Sequence, residues 1–174
     1  MIYAFKGKTP KIANTAYIAD NVTITGDVTI GEETSIWFNT VIRGDVDFTV
    51  IGNKVNIQDN SVLHQSIDIP LIIEDEVTIG HQVILHGAII RKGSLIGMGS
   101  IILDKAEIGE GALVGAGSLV TPGTKIPANT LALGRPAKVV RELTPADKEE
   151  MGRIITSYIE KGKYYKSLKA NIQG

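Results

Sequence analysis

Residues 90–126 read IRKGSL-IGMGSI-ILDKAE-IGEGAL-VGAGSL-VTPGTK-I, with an aliphatic residue at every sixth position. A helix repeats every 3.6 residues and a hairpin sheet every two, so neither structure explains this spacing. Hexapeptide repeats are typical of a parallel β-helix. The same spacing recurs earlier in the chain, and all twenty sampled positions are Ile, Leu or Val: Ile12, Ile18, Ile24, Ile30, Ile36, Ile42; Ile51, Ile57, Leu63, Ile69; Ile73, Ile79, Leu85; Ile90, Ile96, Ile102, Ile108, Val114, Val120 and Ile126.

Each hexad predicts one short strand and one corner, so that three hexads form a triangular coil of about 18 residues. The aliphatic residue points into the prism, and small or turn-forming residues occupy the corners. Ile, Val and Leu make up 50 of the 174 residues while aromatic residues are only 5%, which suits a narrow core of branched side chains. The repeat predicts a mainly β chain, with coils over about residues 11–127 of a single domain spanning residues 1–174.

The C-terminal part of the chain has a different pattern. Gly134-Arg-Pro-Ala-Lys138 is a turn-rich exit from the coils, and Thr144, Pro145 and Asp147 have the residue types of an N-cap, a first helical proline and an acidic third residue. These features predict an α-helix over about residues 145–169. An apolar stripe with helical spacing should pack along one face of the prism; it consists of Met151, Ile154, Ile155, Tyr158 and Ile159.

The composition excludes several classes of partner. Eighteen basic and nineteen acidic residues give a formal charge of -1, so the chain lacks the basic field that nucleic acid or anionic lipid requires. The start of the chain has no apolar signal segment, and no stretch approaches the roughly 18 apolar residues that span a bilayer. Because there is no cysteine, a metal ion would need His, Asp, Glu or backbone oxygen ligands. We expect a cytoplasmic protein that binds neither nucleic acid nor membranes.

Polar residues collect where the six-residue register slips, within residues 42–51, 69–73 and 85–90. Each slip predicts residues looped out of the coil, and loops on a rigid scaffold commonly carry function. We interpret Asp59 as a corner residue. The interrupted part of the chain contains every histidine, together with Arg43-Gly-Asp45 and Asn56-Ile-Gln58-Asp59.

The three histidines predict a metal site that is shared between subunits. His64 and His86 each directly follow an aliphatic core position, so both should face outward on equivalent strands. They are one coil plus four residues apart, and a four-residue loop near Pro70 would stack them on rungs about 4.8 Å apart, close enough to bind one ion at about 2.0–2.1 Å. His81 lies around a corner, but a neighbouring subunit can offer it if three chains pack about a threefold axis.

The ordered set Arg-Gly-Asp, Asn-Ile-Gln-Asp, His and His-x4-His on a hexapeptide-repeat chain resembles the γ-class carbonic anhydrase family, over nearly the whole chain. The resemblance implies a left-handed β-helix with a C-terminal helix, a homotrimer and Zn²⁺ as cofactor, although Fe²⁺ or Co²⁺ would suit the same imidazoles. By position, it implies three metal ligands, an interface pair, and two groups that position the metal-bound water and the substrate: His64, His81 and His86; Arg43 and Asp45; Asn56 and Gln58.

Each of the remaining residues also fits a structural role. Arg43 and Asp45 could form only an interface ion pair, because a buried charge without its partner is costly. Asn56 could cap a turn or join an asparagine ladder, and Gln58 could solvate the interface. Tyr158 could reach a neighbour's site, but its place in the apolar stripe favours core packing.

The resemblance implies reversible hydration of CO₂ to bicarbonate by a metal-bound hydroxide at the trimer interface. Gln58 would orient the hydroxide and Asn56 would steer CO₂. The family archetype carries proton-shuttling glutamates in an acidic loop and directly after the Arg-Gly-Asp aspartate, where this chain has Val46, so we expect weak or conditional activity. The alternatives are a hexapeptide-repeat acyltransferase, a thioester hydrolase and a non-catalytic metal-binding scaffold.

Overall fold

The computed structural model describes residues 1–172, with the side chains of residues 1–168. Within this part the chain forms a parallel β-solenoid that is followed by one α-helix. The predicted fold class, a mainly β hexapeptide-repeat solenoid with a C-terminal helix, is confirmed.

The elements follow one another as short strands around the coils. In chain order they are β1 (Ile2–Tyr3), β2 (Lys11–Ile12), β3 (Tyr17–Ile18), β4 (Thr23–Ile30), β5 (Ser35–Ile36), β6 (Val41–Ile51), β7 (Asn56–Ile57), β8 (Val62–His64), β9 (Leu71–Ile73), β10 (Thr78–Ile79), β11 (Ile84–His86), β12 (Ile89–Ile90), β13 (Leu95–Ile96), β14 (Ile101–Ile102), β15 (Glu107–Ile108), β16 (Leu113–Val114), β17 (Leu119–Val120), β18 (Lys125–Ile126), β19 (Thr130–Gly134), β20 (Ala137–Glu142) and α1 (Pro145–Ile172).

The strands stack into three faces. On the first face, β17, β14, β11, β8, the first part of β6 and the first part of β4 pair in parallel, and β1 covers the open edge. The long strands β4 and β6 continue around the corner to the second face, where β2, β9, β12, β15 and β18 join them. The third face runs from β3 through β5, β7, β10, β13 and β16 to β19, and the antiparallel β20 ends it. Strand pairing therefore extends on both sides of the predicted coil region.

The aliphatic residues of the repeat form one continuous core along the prism axis. Ile90, Ile108 and Ile126 lie opposite one another on successive rungs, and each is almost fully buried. Burial of a side chain of this size contributes roughly 1.5–3 kcal/mol. Among the positions that the repeat predicts as core, Ile12 and Ile18 are only partly buried against it, at the end of the prism where β2 and β3 begin the stack.

The three register slips take three different forms. Within residues 42–51 the extra residues form a bulge inside β6, because residues 45–48 lie opposite the single residue Asp27 of β4. Residues 65–70 do form the predicted loop, a tight hairpin in which Ser66 bridges Ile69, and this removes Ile69 from the core while Leu71 is fully buried. At the third slip Leu85 pairs with Ile102, 17 residues later, so this coil is shortened and nothing is looped out. The predicted loop is therefore present at the second slip, takes the form of a bulge within β6 at the first, and is wrong for the third.

The helix begins at Pro145 as predicted and continues to Ile172. Thr144 Oγ1 accepts a hydrogen bond from the Asp147 amide at 3.2 Å, and the Asp147 carboxylate accepts one from the Thr144 amide at 2.7 Å, which completes a capping box. The helix packs on the third face, against β3, β5 and β7. Across residues 1–172 no helix is both long and apolar enough to cross a membrane.

Candidate metal centre

His64 and His86 stack on adjacent rungs of the first face. The pairing of β8 with β11 places them directly opposite each other, which confirms the predicted register. Their ring centroids are 5.1 Å apart, and His64 Nδ1 lies 3.1 Å from His86 Nε2. Strand register thus brings one nitrogen of each ring to a common point outside the prism.

An aspartate holds the far side of each of these rings. His64 Nε2 lies 3.0 Å from Asp45 Oδ1, and His86 Nδ1 lies 2.6 Å from Asp104 Oδ1. Ionised carboxylates can only accept hydrogen bonds, so these two ring nitrogens carry the hydrogens. The lone pairs of His64 Nδ1 and His86 Nε2 then face each other, an arrangement that a cation between them stabilises, whether a proton or a metal ion.

The spacing and chemistry of the two nitrogens fit a metal ion. Zinc–nitrogen bonds are about 2.0–2.1 Å long, so two nitrogen ligands of a tetrahedral site lie about 3.3 Å apart. The observed separation of His64 Nδ1 and His86 Nε2 is 3.1 Å. Within the described residues, no group of three or more His, Asp or Glu side chains of one chain is placed to hold a metal ion. The His64–His86 pair therefore represents two ligands of a candidate site.

The two aspartates remain acceptors because their charged form is favoured. Partial burial raises the pKa of Asp45, but hydrogen bonds from Arg43 and His64 outweigh this effect and the net pKa lies below its usual value. Burial likewise raises the pKa of Asp104, and hydrogen bonds from His86 and Ser66 bring it below the usual value.

Arg43 and Asp45 form an ion pair within one chain. Arg43 donates two hydrogen bonds to the Asp45 carboxylate, at 2.7 and 2.8 Å. The arginine therefore holds the carboxylate that orients His64. The role of this pair at a subunit interface stays a prediction.

His81 lies apart from the other two histidines, on the corner that follows β10. Its Nδ1 lies 2.8 Å from Asp59 Oδ2, and its side chain is 43% exposed. This hydrogen bond leaves Nε2 as the nitrogen that could bind a metal ion. All three histidines thus have one ring nitrogen engaged by an aspartate, the usual support of a histidine ligand in a metal site.

Gln58 and Asn56 form a buried polar chain next to His81. Asn56 is 1% exposed; its Nδ2 donates to Thr78 Oγ1 at 2.8 Å and its Oδ1 accepts from Gln58 Nε2 at 3.0 Å. Asn56 therefore fixes the Gln58 amide, and its side chain bonds a threonine on the next rung instead of continuing an asparagine ladder.

A groove with a volume of about 470 Å³ lies between the third face and α1, and Gln58, His81 and Tyr158 line it together with apolar side chains. Tyr158 packs edge-on against Trp37, with ring centroids 5.6 Å apart. Burial, and then the negative charge of Asp59, raise the pKa of Tyr158. The predicted core packing of Tyr158 is confirmed, and its reach to a neighbour's site stays a prediction.

Two partners of the histidines are not predicted from the sequence. Asp59 is expected only as a corner residue, and Asp104 is not expected at all. Asp104 follows His86 by 18 residues, one more than the 17-residue coil at this place, so it lies opposite Gly87 on the next rung. His81 follows Asp59 by the same 22-residue offset that separates His64 from His86. Coil length is therefore the signal that could have found the Asp59 pairing, and Asp104 lies one residue beyond the position that coil length predicts.

Comparison with known proteins relates this chain to two sets of names. The family model described as bacterial transferase hexapeptide (six repeats) matches residues 9–44 and 87–122. A carbonic anhydrase of Geobacillus kaustophilus (strain HTA426) is 77% identical over 97% of this chain and 93% of that protein. Gamma carbonic anhydrase 1, mitochondrial, of Arabidopsis thaliana is 38% identical over 87% of this chain and 57% of its own length. The crystal structure of a hexapeptide transferase family protein from Anaplasma phagocytophilum has a TM-score of 0.91 and 40% identity, covering 94% of this chain and 97% of the other.

Proposed function

Because the chain belongs to the γ-class carbonic anhydrase-like family of hexapeptide-repeat proteins, we propose that it is a metal-dependent carbonic anhydrase that acts as a homotrimer. The proposed ligands are His64 and His86 of one subunit and His81 of the next, with Zn²⁺ as the cofactor. One observation carries the proposal: two ring nitrogens lie 3.1 Å apart, each on an imidazole whose other nitrogen is bound by an aspartate.

When bound, the metal ion would supply Lewis-acid chemistry, lowering the pKa of a coordinated water molecule from about 15.7 to about 7. The chain's own residues prepare the site for it. Asp45 and Asp104 keep hydrogen on the far nitrogens of His64 and His86, which leaves the facing nitrogens unprotonated. Asp59 does the same for His81, by holding Nδ1 and leaving Nε2.

Gln58 is the polar group that we assign to orient the attacking water. It lines the groove beside His81, and its Nε2 is committed to Asn56. Its Oε1 therefore remains to accept a hydrogen bond from water. Asn56 is buried with both ends of its amide engaged, so it acts through Gln58 as a positioning residue; its direct contact with CO₂ stays a prediction.

Proton removal is the step for which the chain is least equipped. Val46 stands where the family archetype has a shuttling glutamate; it is 44% exposed, and its side chain can neither accept nor release a proton. We therefore expect modest CO₂ hydration, which rises with the concentration of a small buffer such as imidazole because the buffer can carry the proton to bulk solvent.

Stopped-flow CO₂ hydration by the zinc-loaded protein tests the proposal. The wild type should catalyse hydration above buffer, the chelated protein should not, and His81→Ala should lose activity and zinc together. Gln82→Asn is the matched control, because Gln82 is the adjacent corner residue and has a positive φ of 58° that asparagine tolerates. Stoichiometric zinc without hydration in the wild type would contradict the enzymatic proposal and favour a metal-binding scaffold.

A second candidate, acyl transfer or thioester hydrolysis, is favoured by the groove beside His81. Its volume of about 470 Å³ is more than a molecule as small as CO₂ needs, and its walls include Leu95, Met98 and Leu113. The transferase name of the Anaplasma phagocytophilum relative is consistent with this candidate. Transfer of the acetyl group of acetyl-CoA to an amine or hydroxyl acceptor by chelated protein would favour a transferase, and zinc-dependent release of CoA with free acetate would favour a hydrolase.

A further inference from the structure

We propose that Asp104 and Ser66 form a positioning unit for His86, and that the hairpin of residues 65–70 supplies half of this unit. The inference rests on the metal site of the proposed function. It goes further because it assigns a role to the four-residue insertion in the hairpin of residues 65–70 and to Asp104, which lies on the coil after His86. Neither role depends on whether the bound metal hydrates CO₂.

Both oxygens of the Asp104 carboxylate are engaged. Oδ1 lies 2.6 Å from His86 Nδ1, and Oδ2 accepts a hydrogen bond from Ser66 Oγ at 2.8 Å. A carboxylate that is held at both oxygens cannot rotate about its axis without breaking a bond. The direction of the His86 ring, and with it the position of Nε2 opposite His64, is therefore set from behind.

The local backbone leaves room for this carboxylate only because residue 87 is glycine. Gly87 has a φ of +51°, and a Cβ at this position would lie 2.6 Å from Asp104 Oδ1 and 2.9 Å from Ile69 Cγ2. The Gly87 amide donates to the His64 carbonyl at 3.1 Å, and its carbonyl accepts from the Lys105 amide at 2.7 Å. The shortened coil, the hairpin and the next coil are thus joined at one point directly after His86.

A corner of the same construction occurs without a histidine. Asp75 Oδ1 accepts a hydrogen bond from the Asn53 amide at 2.7 Å, and a Cβ on Gly52 would lie 2.4 Å from the same oxygen. Asp75 therefore fills the space beside a corner glycine as Asp104 does, but its oxygen accepts a hydrogen bond from a backbone amide instead of the His86 ring. Asp75→Ala therefore measures what a corner aspartate contributes to the stability of the fold when it supports no histidine.

Supporting hydrogen bonds of this kind fix the tautomer and orientation of a histidine ligand and raise its basicity, and their loss typically weakens metal binding by about 10–100-fold. Zinc affinity, measured by competition with a chromophoric chelator, should fall by that factor in Asp104→Ala and by a smaller factor in Ser66→Ala. The controls Asp75→Ala and Ser94→Ala should stay within about twofold of the wild type, because neither residue is bonded to a histidine. Equal zinc affinities in Asp104→Ala and Asp75→Ala would overturn the proposal.

The tautomer of His86 in the metal-free protein gives a readout that a purely structural role would not move. Nitrogen-15 NMR of the imidazoles should find hydrogen on Nδ1 of His86 in the wild type and in Asp75→Ala, and a redistribution toward Nε2 in Asp104→Ala. An unchanged tautomer in Asp104→Ala would also overturn the proposal. Should Asp104→Ala fail to fold, Asp104→Leu, which keeps a branched side chain and removes both acceptor oxygens, replaces it in both measurements.

The two proposals fail in distinguishable ways. Zinc binding that depends on Asp104, in a protein that does not hydrate CO₂, would leave the positioning unit standing and remove the anhydrase. CO₂ hydration that is unchanged in Asp104→Ala and Ser66→Ala would support the anhydrase and contradict the positioning unit.

Discussion

The regular and the interrupted coils of this β-helix share one core but differ in what they place on the surface. Beyond Ile90, aligned rungs follow one another every 18 residues, as Ile90, Ile108 and Ile126 do. The coils around the histidines have other lengths: rungs at His64 and His86 are 22 residues apart, and the next coil is 17 residues long.

Because parallel ladders hold each rung on both sides, a change in coil length cannot disturb the core without breaking many hydrogen bonds. The change appears at the corners instead, as a register shift in β6, a hairpin at residues 65–70 and a tight glycine turn at Gly87. The interrupted coils hold His64, His81 and His86, and the regular half adds Asp104 because it lies on the adjoining rung. Changes in coil length thus place polar residues at the corners, while the aliphatic core packs in the same way throughout the prism.

The largest expected effect is the difference in stability between a substitution in the core and one at the tip of the hairpin. Ile108 is fully buried in a regular coil, so Ile108→Ala should lower the free energy of unfolding by about 2–5 kcal/mol. Ile67, at the tip of the hairpin, is 76% exposed, so Ile67→Ala should change it by less than about 0.5 kcal/mol. Urea denaturation of both variants checks this difference. A similar loss at Ile67 would show that the hairpin is packed in the assembled protein.

A pair of glycines provides a sharper comparison of the two regions. Gly87 and Gly99 both have positive φ, 51° and 67°, so the backbone conformation alone should cost alanine at each position about 1–2 kcal/mol of stability. A Cβ at Gly99 meets nothing within 4 Å, whereas one at Gly87 would displace the Asp104 carboxylate. Zinc titration should therefore find about 10–100-fold weaker binding in Gly87→Ala and unchanged binding in Gly99→Ala. Equal zinc affinities would contradict the difference between the two corners.

The smallest expected effect is electrostatic and lies in the regular half. Hydrogen bonds from Arg91, at 2.7 and 2.9 Å, hold the pKa of Glu107 below its usual value of 4.5. A lowered pKa means that the carboxylate stabilises the fold in full above pH 4.5 and loses this contribution as the pH falls through the lower, folded-state value. Glu107→Gln should cost less than about 1 kcal/mol at pH 7.

That cost should disappear in urea titrations at a pH below the folded-state pKa of Glu107. Zinc affinity should stay unchanged at pH 7, because this ion pair belongs to the regular half. A pH-independent cost would show that Glu107 acts through packing rather than charge.

Much of the fold follows from the six-residue repeat, because burial of one aliphatic side chain per hexad leaves few alternatives for the backbone. The stacking of His64 on His86 also follows, since outward positions next to core residues on equivalent strands must align. The N-terminus of α1 is predicted from Thr144, Pro145 and Asp147, whose capping interactions are local.

The interruptions are harder to predict, because a slip in register does not say whether residues are added or removed. Extra residues form a bulge in β6, where four residues lie opposite one residue of β4, and they form a hairpin at residues 65–70. The missing residue near Gly87 shortens a coil, which the repeat cannot distinguish from a loop. Asp59 and His81 are one coil apart, and Asp104 is one residue more than a coil from His86, so both pairings become predictable only once the length of each coil is known.

The most direct test of the shared metal site is subunit complementation. His81→Ala and the double variant His64→Ala/His86→Ala should each fail to bind zinc tightly. In trimers mixed randomly from equal amounts of both, each mixed trimer regains one complete site, so about a quarter of the wild-type zinc sites should return. No recovery of zinc in trimers shown by mass to be mixed would contradict the sharing of His64, His86 and His81 between neighbouring chains.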